Sequence, residues 1–555
     1  MAKYLVVGGV AAGAAFAAKM RRLDENAEIT VFERGPYVSY ANCGLPYYIG
    51  GLIKDEDELV LHTPATLKGR FNVTVLVNTE VVAINRKQKT VTAKKLPGGE
   101  LLNYPYDKLL LAPGSYAVRP PIAGAGLAEV FILKDVEGTA ALKTFLNTRK
   151  PERAAVIGGG SIGLEAAENF CALGLKTALI EASGQVMPAF DPEMAAILQN
   201  HIRQKKVDLR LKTFLAGIEK KGGELVLRLS GERGGELKTD FVLLSMGIRP
   251  ETALAEAAGL KIGKSGGIKT NRFMQTSDKD IYAAGDAVES THMATGRPFI
   301  AALAGNAGKQ ARVAAAHIAG EKKPFGRVLA SAAVKVFDLT AAATGANEKD
   351  LKAAGANYDK VYLHPASHAA YYPGGSPLSI KLLFAAGSGK ILGAQVVGKS
   401  GADKRADVFA AALKSALTVR GLGELELAYA PPYASARDPV NYAGDVAAKV
   451  LSGELRQAFW QDAPPGGARF LLDVRTADEC AGAPIKGALN IPLHELRERA
   501  GELPKDRTIY VFCHSGLRSY IACRALTQKG FDAVNMSGGY MSWRAMALEQ
   551  GLMAK

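Results

Sequence analysis

Cysteine is scarce in this chain, with five residues in 555, at positions 43, 171, 480, 513 and 523. Such scatter builds no disulfide framework and points to a reducing cytoplasm. No pair has the spacing of metal ligands, so no metal is expected. No apolar run reaches the ~18 residues of a membrane span. The N-terminal Lys3-Tyr-Leu-Val-Val-Gly-Gly9 reads as a strand entering a glycine turn, not as a secretion signal. Basic clusters interleaved with aromatics are also missing, which argues against nucleic acid as a partner despite a net charge of +15. Phosphate-rich cofactors, or plain solubility, account for that charge.

Glycine and small apolar residues are plentiful, with 60 glycines and 48% hydrophobic residues, the composition of an α/β globular protein. The length suggests roughly three or four domains. Tyr4-Leu-Val-Val-Gly-Gly-Val-Ala-Ala-Gly13 precedes a helix over 14–23 and a strand, Glu28-Ile-Thr-Val-Phe-Glu33, that closes on an acid. This is a βαβ dinucleotide unit in which Val10 takes the place of the middle glycine. The device recurs complete in Gly158-Gly-Gly160-Ser-Ile-Gly163, with Glu181 at the end of the second strand. Two units imply two dinucleotides. An acid at that position accepts a ribose 2′-hydroxyl and repels a 2′-phosphate, so each unit favours a dinucleotide without a 2′-phosphate.

Cys43 lies in Ser39-Tyr-Ala-Asn-Cys-Gly-Leu-Pro46, after the first unit, with its nearest cysteine at 171. Dithiol reductases keep their redox pair close, so a lone thiol must complete its chemistry with a small thiol, a sulfenic acid or a distant cysteine. A Pro/Gly-rich linker near Gln461-Asp-Ala-Pro-Pro-Gly-Gly467 precedes a compact α/β unit. Its strands are expected at 469–475, 485–492 and 508–513, and a helix at 518–529 follows the loop that begins at Cys513. The residues Cys513, His514, Ser515, Gly516, Leu517 and Arg518 can turn backbone N–H groups and a helix N-terminus toward one sulfur. Cys171 and Cys523 read as packed core residues and Cys480 as a loop residue.

The motifs Gly8–Gly13, Ser39–Pro46, Gly158–Gly163 and Ala283-Ala-Gly-Asp286 occur in order over the first ~450 residues. That region resembles the flavin-dependent pyridine nucleotide–disulfide oxidoreductases with a single active-site cysteine. The last ~90 residues resemble a rhodanese domain, through Asp473-Val-Arg475 and Cys513–Ser519. The combination resembles the fusions of CoA-disulfide reductase with rhodanese, also described as NADH-dependent persulfide or polysulfide reductases. The implied fold is α/β, with two Rossmann-like domains, an α+β dimerisation domain and an α/β rhodanese domain. The implied boundaries are 1–113 with 247–325 for FAD, 114–246 for NAD(P)H, 326–450 for dimerisation, 451–467 as linker and 468–555 as rhodanese.

The resemblance also assigns roles. Gly8, Gly13, Glu33, Arg34 and Asp286 would bind FAD, and Gly158, Gly160, Gly163 and Glu181 would bind NADH. Arg22, Ser39, Asn42 and Arg437 would bind coenzyme A, whose phosphates suit arginine forks. Tyr371 and Tyr429 match tyrosines that reach the partner subunit's active site in a homodimer, with the adjacent Tyr372 and the nearby Tyr433 as the alternatives. The run Ala307-Gly-Lys-Gln-Ala-Arg312 departs from the family by replacing an asparagine with Gly308. The implied activity is reduction of CoA disulfide, CoA persulfide or polysulfide at a Cys43 thiolate lying against the flavin. Its thiol, ordinarily near pKa 8.5, would need to be lowered, and Cys513 would carry sulfane sulfur. The rival is an NADH oxidase or peroxidase that cycles Cys43 through sulfenic acid, with the rhodanese as a regulatory or docking module.

Overall fold

A computed structural model describes residues 1–462 and 470–553. Arg469, expected to open a strand, and residues 463–467 of the expected linker lie outside the described residues. The chain divides into two compact units, Met1–Gly184 with Val207–Ala330, and Gln185–Lys206 with Ser331–Lys555.

In the first unit, Lys3–Val7 lies between Glu28–Phe32 and Lys108–Leu111 in a five-stranded sheet, whose edges are Thr74–Leu76 and Ile281–Ala283. All neighbours run parallel. Their sequences are near-continuous apolar runs because both faces are covered, and Val6, Val31, Leu109 and Leu110 are fully buried. The order in which strands are added reverses at Lys3–Val7, which opens a crevice at the carboxyl ends of these strands. A second parallel sheet repeats the plan, with Arg153–Ile157 between Lys176–Ile180 and Phe241–Leu244.

The second unit contains an antiparallel five-stranded sheet with Leu378–Ala385 between Tyr358–Leu363 and Ile391–Gly398. Lys381, on that inner strand, is fully buried, with Asp191 at 2.8 Å and Glu193 at 3.2 Å, and it also pairs with Glu348. Asp191 takes a further hydrogen bond from Gln395 at 2.7 Å. This charge cluster fixes the helix Pro192–Gln204 to the unit, although it directly follows the second dinucleotide motif in sequence. Burial alone would raise the Glu348 carboxyl, but Lys381, Tyr358 and Lys360 outweigh it and hold it down at about 2.

The C-terminal part of this unit is a parallel sheet in the order Gln457–Ala458, Ala533–Met536, Ile509–Phe512, Phe470–Asp473, Ala488–Asn490. Gln457 and Ala458, expected within the linker, form its edge strand through pairing with Asn535 and Met536. Cys480, expected in a loop, lies in the helix Ala477–Gly482. The Thr476–Glu479 capping box starts that helix, and its Ser/Thr-x-x-Glu signature is present in the sequence.

Candidate active sites

Both glycine turns are built alike. After Lys3–Val7, Gly8 has φ +93°, and a Cβ on it would sit 2.1 Å from the Ala112 carbonyl oxygen. A Cβ on Gly13 would meet the Gly8 carbonyl oxygen at 1.8 Å, so strand and helix touch here through bare backbone. The helix Ala11–Leu23 starts at Val10 with no side-chain cap and no acid in its first turn. Its free N–H groups face the crevice end, which is the chemistry a pyrophosphate requires. Glu33 accepts hydrogen bonds from the Gly9 N–H at 2.8 Å and the Gly35 N–H at 3.0 Å. Arg34 pairs loosely with Glu80 at 3.7 Å. At the second turn Gly158 has φ +111°, and a Cβ on Gly163 would meet the Gly158 oxygen at 2.0 Å. Gly160 caps the helix Ser161–Ala172, again without a side-chain bond. Glu181 accepts from the Gly159 N–H at 2.6 Å and the Ser183 N–H at 2.7 Å. These residues fit a dinucleotide at each turn, as FAD and a nicotinamide dinucleotide would require.

Asp286 takes a hydrogen bond from the Ser115 hydroxyl at 3.0 Å, and Lys134 donates to that hydroxyl at 3.2 Å. Sequence reasoning missed Gln310, which accepts from the Gly285 N–H at 2.8 Å and donates to Ser290 at 3.2 Å. It sets the turn that presents Asp286, and it sits in the same Ala307–Arg312 run whose asparagine is lost.

Cys43 lies in the single turn Asn42–Gly44, followed by the helix Leu45–Ile49. Ser39, in the left-handed region at φ +50°, donates its N–H to the Gly9 carbonyl at 3.0 Å, which ties the cysteine loop to the first glycine turn. Asn42 is half-buried beside Cys43. The Cys43 thiol reaches solvent, yet its surroundings push it above its ordinary value, first by desolvation and then through Glu165 and Asp286. The protein's own groups therefore do not activate it, contrary to the lowering that the chemistry needs. Tyr47, one turn beyond Cys43, donates to Glu165 at 3.1 Å. Neither partner stood out in the sequence, although Glu165 lies two residues after Gly163. Burial raises the Glu165 carboxyl.

Of the two adjacent arginines, Arg21 is buried and donates to five backbone carbonyls, including Ala27 at 2.8 Å and Phe71 at 2.9 Å. Arg22 is exposed, with its guanidinium 5.9 Å from the Phe71 ring centre, and it is the one free to meet an anion.

In the second unit, the Tyr371 and Tyr429 hydroxyls are 2.6 Å apart. Tyr433 points to solvent without such a partner, and Tyr372 packs on His368. Buried Arg405, which the sequence reading passed over, joins the two tyrosine segments. It donates to the Ser367 carbonyl at 3.0 Å, the Tyr433 carbonyl at 3.1 Å and Asp438 at 2.8 Å. Arg437 pairs with Asp445.

Cys513 ends the strand Ile509–Phe512 and is 1% exposed. Its sulfur accepts from the Gly516 N–H at 3.1 Å and the Ser519 hydroxyl at 3.5 Å. Gly516, at φ +108°, makes the turn into the helix Leu517–Gln528. Arg475 is buried on Asp473 at 2.6 Å and lies 4.5 Å from the Tyr540 ring centre, which holds the strand end beneath the loop. His514 and Leu517 are exposed, Ser515 is half-buried, and Arg518 forks onto Glu479. Cys523 is buried as expected, its thiol pushed up to about 12 by desolvation and by Cys513. Cys171 is half-buried.

Residues 2–317 match the pyridine nucleotide-disulphide oxidoreductase family. The chain belongs to that family. Residues 331–439 match the dimerisation domain of these oxidoreductases and residues 453–546 the rhodanese-like domain. This oxidoreductase is 43% identical to the reduced CoADR-RHD of Bacillus anthracis, with a TM-score of 0.95, covering 99% of this chain and 98% of that one. It is 38% identical to an NAD-dependent persulfide reductase from A. fulgidus, with a TM-score of 0.92 over 98% of this chain and 100% of that one. A coenzyme A disulfide reductase of Staphylococcus haemolyticus is 35% identical over 447 residues, which is 80% of this chain and 99% of that protein. The oxidoreductase thus combines the reductase architecture with a rhodanese-like domain in one chain. No helix among the described residues is long and apolar enough to cross a membrane.

Proposed function

We propose that this oxidoreductase uses FAD and NADH to reduce the sulfur–sulfur bond of CoA disulfide, CoA persulfide or polysulfide at Cys43, and that Cys513 carries sulfane sulfur. The observation that carries the reading is the pairing, in one chain, of a lone thiol beside a dinucleotide crevice with a second thiol held in a backbone cradle. Bound FAD supplies two-electron transfer between the pyridine nucleotide and the thiol site. Cys43 attacks one sulfur of CoA disulfide, forming a Cys43–S–S–CoA mixed disulfide and releasing one CoA thiolate. Two electrons originating in NADH then cleave that bond, restoring the Cys43 thiolate and releasing the second CoA. The sum is NADH, one proton and CoA disulfide giving NAD⁺ and two CoA thiols. With CoA persulfide the products are one CoA thiol and hydrogen sulfide.

Glu181 supports NADH as the donor, because a 2′-phosphate would meet its carboxylate; NADPH is then the weaker substrate. Arg22, Ser39, Asn42 and Arg437 are the proposed CoA contacts, with Tyr371 and Tyr429 acting in the partner subunit's site. The match to a dimerisation domain supports a homodimer. Five cysteines, all free, support a reducing cytoplasm.

Anaerobic NADH oxidation should proceed with CoA disulfide and with CoA persulfide, and Cys43→Ser should abolish both. Cys513→Ser should leave CoA disulfide reduction intact while slowing sulfide release from polysulfide. NADH oxidation that occurs with oxygen alone would favour the oxidase reading. Mass spectrometry should find CoA bound to the protein and lost on thiol reduction.

A further inference from the structure

The Cys513 loop is not held by its own hydrogen bonds alone. Its carbonyls are held from behind by the C-terminal helix Gly539–Glu549: the Tyr540 N–H donates to the Cys513 oxygen at 2.8 Å, and the Met541 N–H donates to the His514 oxygen at 3.0 Å. With the carbonyls drawn back, the Gly516 N–H faces the sulfur. The approach is too close for side chains, since a Cβ on Gly539 would lie 2.5 Å from the Cys513 oxygen. The position of that helix therefore sets the cradle.

Within the same compact unit, the helix Pro192–Gln204 holds the far end of Gly539–Glu549, through Gln199 and Arg203 on Glu549 and Asn200 on the Ala545 carbonyl, and the dimerisation module holds its first turns. His364, directly after the strand Tyr358–Leu363, places Nε2 2.9 Å from the Ser542 hydroxyl and Nδ1 2.9 Å from the Ser379 hydroxyl. The Tyr362 N–H donates to the Ser537 hydroxyl at 3.1 Å, at the loop that leads into the helix. A Cβ on Gly538 would meet the Ser542 hydroxyl at 2.0 Å and the Tyr362 Cβ at 2.9 Å. Burial, with a smaller push from His514, holds the His364 imidazole down at about 4. It is thus a neutral ring between two hydroxyls at physiological pH, a bridge of fixed length.

We propose that His364 is a positioning residue for sulfur loading at Cys513: through Ser542 it fixes the helix that shapes the sulfur cradle, so the dimerisation module sets the reactivity of the rhodanese-like domain. This rests on the reading of Cys513 as a sulfane carrier. The loading step probed is attack of the Cys513 thiolate on a sulfane sulfur of tetrasulfide dianion. One sulfur–sulfur bond forms, another breaks, and trisulfide dianion leaves, with no external oxidant.

The test compares holoenzymes exposed to sodium tetrasulfide, with persulfide followed on the Cys513 peptide by mass spectrometry. His364→Ala should slow loading by about tenfold or more, within the roughly hundredfold cost that a displacement of about 1 Å can carry. NADH-driven CoA disulfide reduction should stay at the wild-type rate. Ser542→Ala should act in the same direction, and the double variant should be no slower than the slower single one, as for two members of one linkage. His364→Gln, which can still reach Ser542, should restore most of the loading. Wild-type loading in His364→Ala overturns the proposal, as does additive loss in the double variant. If His364→Ala fails to fold, Ser542→Ala decides, and its loading at the wild-type rate overturns the proposal. Wild-type enzyme that takes no sulfur at Cys513 overturns the sulfane-carrier reading together with this one.

Discussion

Arg518 directs both terminal nitrogens onto the Glu479 carboxylate, at 2.7 Å each. The same carboxylate closes the capping box with Thr476. One residue thus anchors the helix after the Cys513 loop to the helix after the Asp473–Arg475 turn. Arg518, with lesser help from the Thr476 backbone and hydroxyl, outweighs burial and holds the Glu479 carboxyl down at about 2.

A carboxyl held below its ordinary value stabilises the fold above pH ~4.5 and loses that contribution as pH falls toward 2. Glu479→Gln should therefore lower stability at pH 7 by about 1 kcal/mol, a value discounted because the pair is about one-third exposed. The difference from wild type should vanish at the acid end. Denaturant unfolding at pH 7 and pH 3 checks this, and an equal loss at both would refute it.

Glu165 should suppress the reactivity of Cys43 in protein stripped of cofactors. Its negative charge is the second cause, after desolvation, of the raised thiol. Glu165→Gln removes that charge, lowers the thiol pKa and increases the thiolate fraction at pH 7.5. Alkylation of Cys43 by iodoacetamide should then run several-fold faster, with its pH profile displaced to lower pH. An unmoved profile would rule out Glu165 as a cause.

Gly160 and Gly163 should fail differently. A Cβ on Gly163 meets the Gly158 oxygen at 2.0 Å, so Gly163→Ala must push strand and helix apart. It should cost about 1–3 kcal/mol of stability, as overpacking does, along with NADH binding. A Cβ on Gly160 meets nothing within 4 Å. Gly160→Ala should leave stability unchanged and raise KM for NADH, because only the approaching dinucleotide meets the new methyl group. Thermal melts together with steady-state kinetics separate the two.

Lys381→Met should destabilise the second unit by about 3–5 kcal/mol, because it leaves buried Asp191, Glu193 and Glu348 without their shared cation. Replacing Asp191 at the same time with Asn should recover part of the loss. Calorimetry of the full chain checks both variants.

Local pattern carried much of this protein. The two glycine turns, their closing acids Glu33 and Glu181, the lone Cys43 and the Cys513 loop were legible because each depends on neighbours within about twenty residues, where glycine, apolar runs and helix starts follow from backbone sterics. The resemblance supplied FAD, coenzyme A and the tyrosines, which no spacing could name.

Groups joined across long stretches of chain were not legible. Gln310 reaches Gly285, Tyr47 reaches Glu165, Arg405 joins Ser367 to Tyr433, and His364 meets Ser542 across 178 residues. Each is an ordinary polar residue until the fold supplies its partner. The electrostatics of Cys43 likewise depend on Glu165 and Asp286, which only packing brings near it. Sequence alone thus determined where the two glycine turns and the two thiol loops lie, because those devices are made of contiguous backbone. Tertiary structure decided what surrounds Cys43 and what holds Cys513, because desolvation, charge and hydrogen-bond geometry act through space and not along the chain.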